Sequence, residues 1–167
     1  VGAHEKGRVV DVNDGLCGEG PYSAQRCGGL PTNSALRLME REQLSATAML
    51  KKLTTKGGLI AYLGTDDGKE VSRRAQNGDE NARFIFEGMA YQVAKEIGAC
   101  AAVLKGDVQA IILTGGFARD KMFTGWIAER TKFIAEIVVM PGEDEQQALC
   151  TAALRVLNGE EQPLIYA

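Results

Sequence analysis

Few residues in this sequence could build a metal centre from histidine or cysteine. It has one histidine and four cysteines among 167 residues, and no two cysteines are spaced as CxxC. Structural zinc sites need four clustered Cys or His ligands, so this class of site is excluded and reduced thiols are expected. The single histidine, His4, falls in a predicted hairpin, where it is badly placed to act as the base of a Ser-His-Asp or Cys-His hydrolase.

Long apolar runs and clustered basic residues are also scarce. The longest mainly apolar stretch, residues 97–104, is far shorter than the ~20 residues that a membrane-spanning helix needs. The net charge is −3, with 19 Lys and Arg against 22 Asp and Glu, whereas nucleic-acid surfaces need clustered cations. We therefore expect a cytoplasmic protein with small-molecule ligands, no nucleic-acid partner and no membrane partner.

Glycine, by contrast, is abundant. There are 20 glycines in 167 residues, about 12% of the chain, compared with an average near ~7%. Hydrophobic residues make up 45% and charged residues 25%, which is typical of one globular domain of this length. Several of the glycines fall in residues 15–31, which predicts a long loop of functional importance.

Helical and strand-like patterns alternate along the rest of the chain. The β-branched run Arg8–Val12 predicts the second strand of an N-terminal hairpin. Helix composition predicts helices at Asn33–Gln43 and Ser45–Thr55, each starting at its capping residue. A short apolar run between glycines, residues 58–64, predicts a buried strand.

Beyond residue 65, longer helices alternate with short apolar strands. The predicted elements are a helix ending near Gly78, a long helix at 79–106, a strand at 108–113, a helix at 121–131, a strand at 137–140 and a helix at 143–157. Trp126 and Phe133 are expected in the core. Such alternation predicts an α/β fold with a mixed β-sheet flanked by helices, whose ligands bind at the carboxyl ends of the strands.

A glycine pair directly follows the predicted strand at 108–113. Gly115 and Gly116 would let the backbone approach the sugar or phosphate of a nucleotide. A tight turn without a ligand is the alternative. The segment matches neither GxGxxG nor a Walker motif, so those nucleotide-binding classes are not supported.

Charged residues in three other segments could complete a phosphate site. Arg26, in the glycine-rich loop, has a planar guanidinium of the kind that clamps a transferring phosphoryl group. The alternative is a loop arginine that is simply solvated. Three acids at 143–145 open a helix, where they could hold Mg²⁺ with ATP or merely interact with the helix dipole. Asp66 could face a nucleotide, or it could cap the next helix.

Six segments together resemble the butyrate kinases of the acetate and butyrate kinase family. They are Gly7–Asn13, Gly18–Pro21, Gly58–Asp66, Met89–Gly98, Ile111–Gly116 and Pro141–Glu145. The resemblance implies the ribonuclease-H-like fold of an actin-like ATPase domain, in a superfamily with sugar kinases, heat-shock chaperones and actin. It concerns the carboxyl-terminal part only, so residues 1–167 would form a single nucleotide-binding domain of an acyl kinase, without the amino-terminal domain and without the first strand of its own sheet.

The resemblance also implies roles for individual residues. Arg26 matches the arginine of the family's Arg-Ser-Gly signature, which stabilises the transferring phosphoryl group, and Cys27 replaces the serine. Gly115, Gly116 and Phe117 match the adenosine motif. The ligands implied are ATP or ADP with Mg²⁺.

Acidic residues at three positions complete the site that the resemblance implies. Asp66 matches an acidic nucleotide contact, and Asp120 stands at a nucleotide-binding position where acetate kinases commonly have asparagine. The acidic run matches the magnesium carboxylates, with Glu145 in the preferred register and Asp144 in the competing one.

The activity implied is reversible phosphoryl transfer between ATP and a short-chain fatty acid, which gives an acyl phosphate. A homodimer formed through this domain is also implied. Two alternatives remain at this stage: a catalytically inactive module for nucleotide binding and dimerisation, or an unrelated actin-like or sugar kinase domain.

Overall fold

The computed structural model describes residues 1–16, 18–142 and 145–163. In chain order its elements are β1 (Gly2–Glu5), β2 (Arg8–Val12), α1 (Thr32–Arg41), α2 (Ala46–Thr55), α3 (Gly58–Leu63), α4 (Gly68–Gln76), α5 (Glu80–Val103), β3 (Ala110–Gly115), a 3-10 turn (Gly116–Arg119), α6 (Lys121–Thr131), β4 (Glu136–Pro141) and α7 (Glu145–Leu157). No helix of these described residues is long and apolar enough to cross a membrane.

The strands form two small sheets, one antiparallel and one parallel. β1 pairs with β2 as the predicted hairpin, through a turn in which Lys6 and Gly7 both have positive φ angles, as a two-residue hairpin turn requires. β3 pairs in parallel with β4, from Ala110 opposite Glu136 to Gly115 opposite Pro141. The expected α/β class is confirmed, although the described strands do not form one continuous sheet.

The core lies around α5, which packs between α4 and α6. Phe86 of α5 is fully buried, and its ring stacks on that of Phe123 with centroids 4.9 Å apart. Trp126 packs against this cluster, as expected. Phe133, by contrast, is 82% exposed, so its predicted core position is wrong. It lies beyond the end of α6 at Thr131, where the helical period that suggested burial no longer applies.

Residues 58–63 form helix α3, where the sequence predicts a strand at 58–64. Short apolar runs do not distinguish a strand from a buried helix, and here the two ends of the segment favour the helix. Gly64 closes it in the left-handed conformation, at φ 76°, with its N–H donated to the carbonyl of Ile60, as in common helix C-caps. At the other end, the first N–H groups donate to carbonyls of the glycine-rich loop.

Two predicted helix starts differ in outcome. Ser45 caps α2 as expected, since its side chain accepts the N–H of Ala48. Asn33 does not cap α1, because the N-cap is Pro31, two residues earlier, and the helix begins at Thr32. The Pro31 carbonyl accepts the N–H groups of Ser34 and Ala35 at 2.9 and 3.1 Å, so Asn33 already lies within the first turn of the helix.

Candidate functional site

The backbone around Arg26 is held against the first turn of α3. Three N–H groups of that turn donate to loop carbonyls: Gly57 to Gln25 at 2.8 Å, Leu59 to Ser23 at 3.0 Å and Ile60 to Ala24 at 3.1 Å. Within the loop, the Ser23 N–H donates to the Arg26 carbonyl at 3.0 Å, and the Arg26 N–H donates to Ser23 Oγ at 3.2 Å. A helix N-terminus has N–H groups without helical partners, and the loop that carries Arg26 satisfies them.

The side chain of Arg26 extends from this fixed backbone and is exposed. It makes no hydrogen bond or ion pair with any of the described residues. Together with Thr114 and Phe117, it lines a cavity of about 910 Å³. A guanidinium on a fixed backbone, without a partner among the described residues, is suited to bind an anionic ligand.

The predicted glycine turn lies at the carboxyl end of β3. Gly115 has a φ of 85° and open space where a Cβ would lie, so glycine avoids the strain that other residues meet there. Gly116 begins the 3-10 turn and is exposed. Phe117 is half-buried against Phe86 and Phe123, with ring centroids 6.0 and 5.5 Å away. This aromatic anchor fixes the end of the turn and leaves the glycines at the surface.

The start of α4 lies against the same turn. A Cβ on Gly68, the first residue of α4, would overlap with the ring of Phe117 and lie 3.0 Å from its Cζ. Asp67 caps the helix by accepting the N–H of Lys69 at 2.9 Å. The two adjacent aspartates therefore differ in role, and the cap is Asp67 rather than the candidate nucleotide contact Asp66.

Asp66 connects this region to the arginine loop. Its Oδ2 accepts a hydrogen bond from Gln25 Nε2 at 2.6 Å, and Gln25 directly precedes Arg26. The structure thus holds Asp66 against the residue that precedes Arg26 in the loop. Gln25 was not found from the sequence, and its position beside Arg26 was the only available signal.

Asp120 has a clear structural role. It caps α6, and its Oδ1 accepts the N–H of Phe123 at 2.8 Å. This hydrogen bond fixes the carboxylate at the end of the glycine turn, three residues after Phe117. A nucleotide contact by Asp120 remains a prediction.

The chain that leads into the acidic run adjoins the glycine turn. The Gly115 N–H donates to the Gly142 carbonyl at 3.0 Å, and Thr114 Oγ1 donates to the same oxygen at 3.4 Å. Asp144 lies outside the described residues; Glu145 begins α7, and its side chain is likewise not described. Their predicted role as magnesium ligands is therefore untested. Within the described residues, no group of three His, Cys, Asp or Glu could hold a metal ion.

Arg119 is a second cation at this end of the sheet that sequence reasoning missed. Its Nη2 lies 3.5 Å from where a Cβ on Gly142 would be, so the guanidinium adjoins the segment that leads into the acidic run. The available signal was its place three residues after Gly116, within the glycine turn.

Cys27, next to Arg26, is not an activated nucleophile. Burial raises the pKa of its thiol, and the thiol donates a hydrogen bond to the Gly28 carbonyl at 3.0 Å. A raised pKa keeps the thiol protonated at neutral pH, and only the thiolate is a good nucleophile. The site is therefore suited to bind and orient anions and not to form a covalent cysteine intermediate.

Solved structures share this fold. The chain superposes on the acetate kinase of Porphyromonas gingivalis with a TM-score of 0.81 and 22% identity, over 92% of this chain and 45% of that one. A propionate kinase from Francisella tularensis subsp. tularensis SCHU S4 gives 0.71 and 23%, over 80% and 35%. An acetate kinase from Entamoeba histolytica gives 0.68 and 16%, over 81% and 43%. In each case this chain spans less than half of the similar protein.

A match to a family model shows the family to which the chain belongs. The model of the Acetokinase family matches residues 1–139, which include Arg26, Asp66, the glycine turn and Asp120. The acids at 143–145 fall just beyond the match. Because the match covers most of the sequence, the chain belongs to the acetokinase family.

Proposed function

We propose that this chain is the nucleotide-binding part of a kinase that transfers a phosphoryl group between ATP and a short-chain carboxylate, giving an acyl phosphate. The observation that carries the proposal is the exposed guanidinium of Arg26, which has no partner among the described residues. Its backbone is fixed by α3, and its side chain shares a cavity with Thr114 and Phe117 at the carboxyl end of β3. Ligands of open α/β sheets bind at such ends.

In this proposal, Arg26 acts on the transferring phosphoryl group. Phosphoryl transfer needs positioning and compensation of negative charge more than covalent chemistry by the protein. A planar guanidinium can contact two phosphoryl oxygens at once, and its fixed backbone reduces the cost of orienting it. No covalent enzyme intermediate is needed, in agreement with the burial that raises the pKa of the Cys27 thiol.

The nucleotide is proposed to bind along the glycine turn. Gly115 and Gly116 allow close approach of the sugar and phosphates, while Phe117 and Asp120 hold the turn in place. Asp66 is proposed as a polar contact on the opposite side, oriented by Gln25.

Magnesium is proposed to bind at the acidic run, through Glu145 or, in the alternative register, Asp144. The hydrogen bonds of Gly142 to the glycine turn support this location, because the chain enters the run beside the proposed phosphate site. Mg²⁺ would compensate charge on the phosphate oxygens, with one or two carboxylates and several waters as ligands.

Butyrate is the proposed carboxylate, on the strength of the sequence motifs. The acetate and propionate kinases that share the fold are named for smaller carboxylates. A direct assay therefore compares acetate, propionate and butyrate as substrates. A cytoplasmic location and a homodimer are further parts of the proposal.

A second candidate is a module that binds nucleotide but has no turnover on its own. It is favoured by the observation that the chain spans only 45% of the Porphyromonas gingivalis acetate kinase. The two candidates make the same prediction for nucleotide binding and opposite predictions for turnover.

The test is acyl phosphate formation, trapped as the hydroxamate. Mg-ATP is supplied with acetate, propionate or butyrate to the chain alone and to the chain joined to the complementary part of an acetate kinase. The kinase proposal predicts butyrate-dependent product from the joined protein, and Arg26→Ala should lower turnover by ~10²–10⁴ with a smaller effect on nucleotide affinity. Arg26→Lys should restore little, since an ammonium lacks the planar fork.

Arg83→Ala is the matched control for loss of one exposed cation, because Arg83 lies on the exposed side of α5. It should leave turnover unchanged. The proposal would be contradicted if the joined protein formed no acyl phosphate with any of the three carboxylates. Equal turnover in Arg26→Ala and Arg83→Ala would also contradict it.

A further inference from the structure

Tyr22 ties the loop that carries Arg26 (the arginine loop) to the long helix α5. It lies four residues before Arg26 and is buried. Its backbone N–H donates to Gln92 Oε1 at 3.1 Å, and its hydroxyl donates to the Ile85 carbonyl. Both partners belong to α5, so this helix holds one residue of the loop at its backbone and at the tip of its side chain.

A glycine in α5 leaves the space that the Tyr22 hydroxyl occupies. A Cβ on Gly88 would lie 2.8 Å from the hydroxyl oxygen and 3.9 Å from the ring carbon that bears it. Glycine weakens a helix interior relative to alanine, and Gly88 does not have a positive φ angle that would require it. The close approach of Tyr22 is therefore the feature that glycine permits here.

The same segment of α5 also holds the glycine turn. The ring of Phe86, which is fully buried, lies 6.0 Å from the ring of Phe117 in that turn. Residues 85–92 span about two helical turns, or ~10 Å of rise. Within this short length, α5 contacts both the arginine loop and the glycine turn, and it thereby sets their relative positions.

We propose that Tyr22 and Gln92 are positioning residues for the phosphoryl transfer: they hold Arg26 at the place along α5 where its guanidinium meets the transferring group of a nucleotide bound at the glycine turn. This inference rests on the proposed function, and neither side chain needs to contact substrate. A displacement of about 1 Å in such a site can lower turnover ~10²-fold. Nucleotide affinity should change little, because Phe86 holds the glycine turn through a separate contact.

The first test removes and then restores the acceptor of the Tyr22 N–H, in the chain joined to the complementary part of an acetate kinase. Gln92→Leu should lower kcat about tenfold, with the KM for Mg-ATP changed less than about twofold. Gln92→Glu keeps an oxygen acceptor and should recover most of the loss. The matched control is Gln76→Leu, which removes the hydrogen bond of an exposed glutamine to Ser72 on α4 and should leave kcat unchanged.

The second test is a double-mutant cycle between Gly88 and Tyr22. Gly88→Ala should displace the Tyr22 hydroxyl and lower kcat by a similar factor. In a Tyr22→Phe background the added Cβ meets no hydroxyl, so it should cause no further loss. Gly98→Ala, in the same helix and with nothing within 4 Å of its Cβ, is the control and should keep the wild-type kcat.

Hydrogen exchange in the chain alone separates this inference from the proposed function, because it needs no turnover. The Ser23 N–H donates within the arginine loop and should exchange about tenfold faster in Gln92→Leu and Gly88→Ala, but not in Gln92→Glu. The Asp120 N–H donates to Phe117 in the glycine turn and should be unchanged. If the joined protein makes no acyl phosphate, the proposed function fails, and these exchange rates alone decide whether α5 holds the loop.

Four results would overturn the proposal. The first is a wild-type kcat in Gln92→Leu, or a loss confined to KM. The second is a folded Gln92→Glu that is no better than Gln92→Leu, since the glutamine would then serve packing alone. The third is equal harm from Gly88→Ala with and without the Tyr22 hydroxyl, and the fourth is unchanged exchange at Ser23. If Gln92→Leu fails to fold, the cycle between Gly88 and Tyr22 decides.

Discussion

Replacement of Gly58 by alanine tests the docking of the arginine loop on α3. Gly58 has a φ of 56°, and a Cβ there would overlap with the carbonyl oxygen of Ser23 and lie 2.8 Å from that of Arg26. The left-handed backbone alone costs an alanine ~1–2 kcal/mol. Moving the loop backbone away adds an overpacking cost of ~1–3 kcal/mol.

Gly64→Ala is the matched control. Gly64 ends the same helix with a φ of 76°, and a Cβ there would have nothing within 4 Å. The stability of this variant should therefore fall only by the ~1–2 kcal/mol that left-handed backbone costs an alanine. At ~2–4 °C per kcal/mol for a protein of this size, Gly58→Ala should unfold about 2–12 °C below Gly64→Ala.

The assay is thermal unfolding followed by circular dichroism, with hydrogen exchange at Leu59 and Ile60 as a local readout. Both N–H groups donate to the arginine loop in the wild type, so their protection should fall in Gly58→Ala and persist in Gly64→Ala. Equal unfolding temperatures for the two variants, with both amides still protected, would refute the claim that α3 positions Arg26.

Two further predictions concern ionisation and metal dependence. Burial and the neighbouring Tyr62 raise the pKa of Tyr22 to about 12, and its hydroxyl donates to the Ile85 carbonyl. The contribution of the protonated hydroxyl to the free energy of unfolding should be complete below pH ~10 and should be lost as the pH rises towards 12. Absorbance at 295 nm during alkaline titration should show tyrosine ionisation close to pH 12, and its absence would contradict this. Glu145→Gln should raise the Mg²⁺ concentration needed for nucleotide binding, measured by calorimetry at several Mg²⁺ levels, and unchanged dependence would reassign the role to Asp144 or to neither.

The sequence predicts most elements of the fold because their signals are local. The positive-φ turn at Lys6 and Gly7, the cap at Ser45 and the helix at Lys121–Thr131 depend only on nearby residues. The prediction of a strand at residues 58–64 was wrong because the helix there depends on a partner more than thirty residues away. That partner is the loop whose carbonyls accept the first N–H groups of α3. No local pattern contains that information.

The candidate site is predictable in its residue types but not in its contacts. Glycines at a strand end and an arginine among glycines identified Gly115 and Arg26 as candidates. The hydrogen bond between Gln25 and Asp66 joins segments 41 residues apart, and the division of roles between Asp66 and Asp67 follows from one hydrogen bond to Lys69. Both results needed the tertiary structure.

Binding of Mg-ADP at the glycine turn is the central claim, and a thermal shift measures it most directly. At 100 times its dissociation constant, the ligand should raise the free energy of unfolding by roughly 2.7 kcal/mol. This corresponds to a rise in unfolding temperature of about 5–10 °C at this chain length. Gly116→Val should abolish the shift by placing a branched side chain in the path of the nucleotide, whereas Gly125→Val, at an exposed site on α6 with nothing within 4 Å of a Cβ, should retain it. A folded chain that shows no shift with millimolar Mg-ADP, or an equal shift in both variants, would contradict the account.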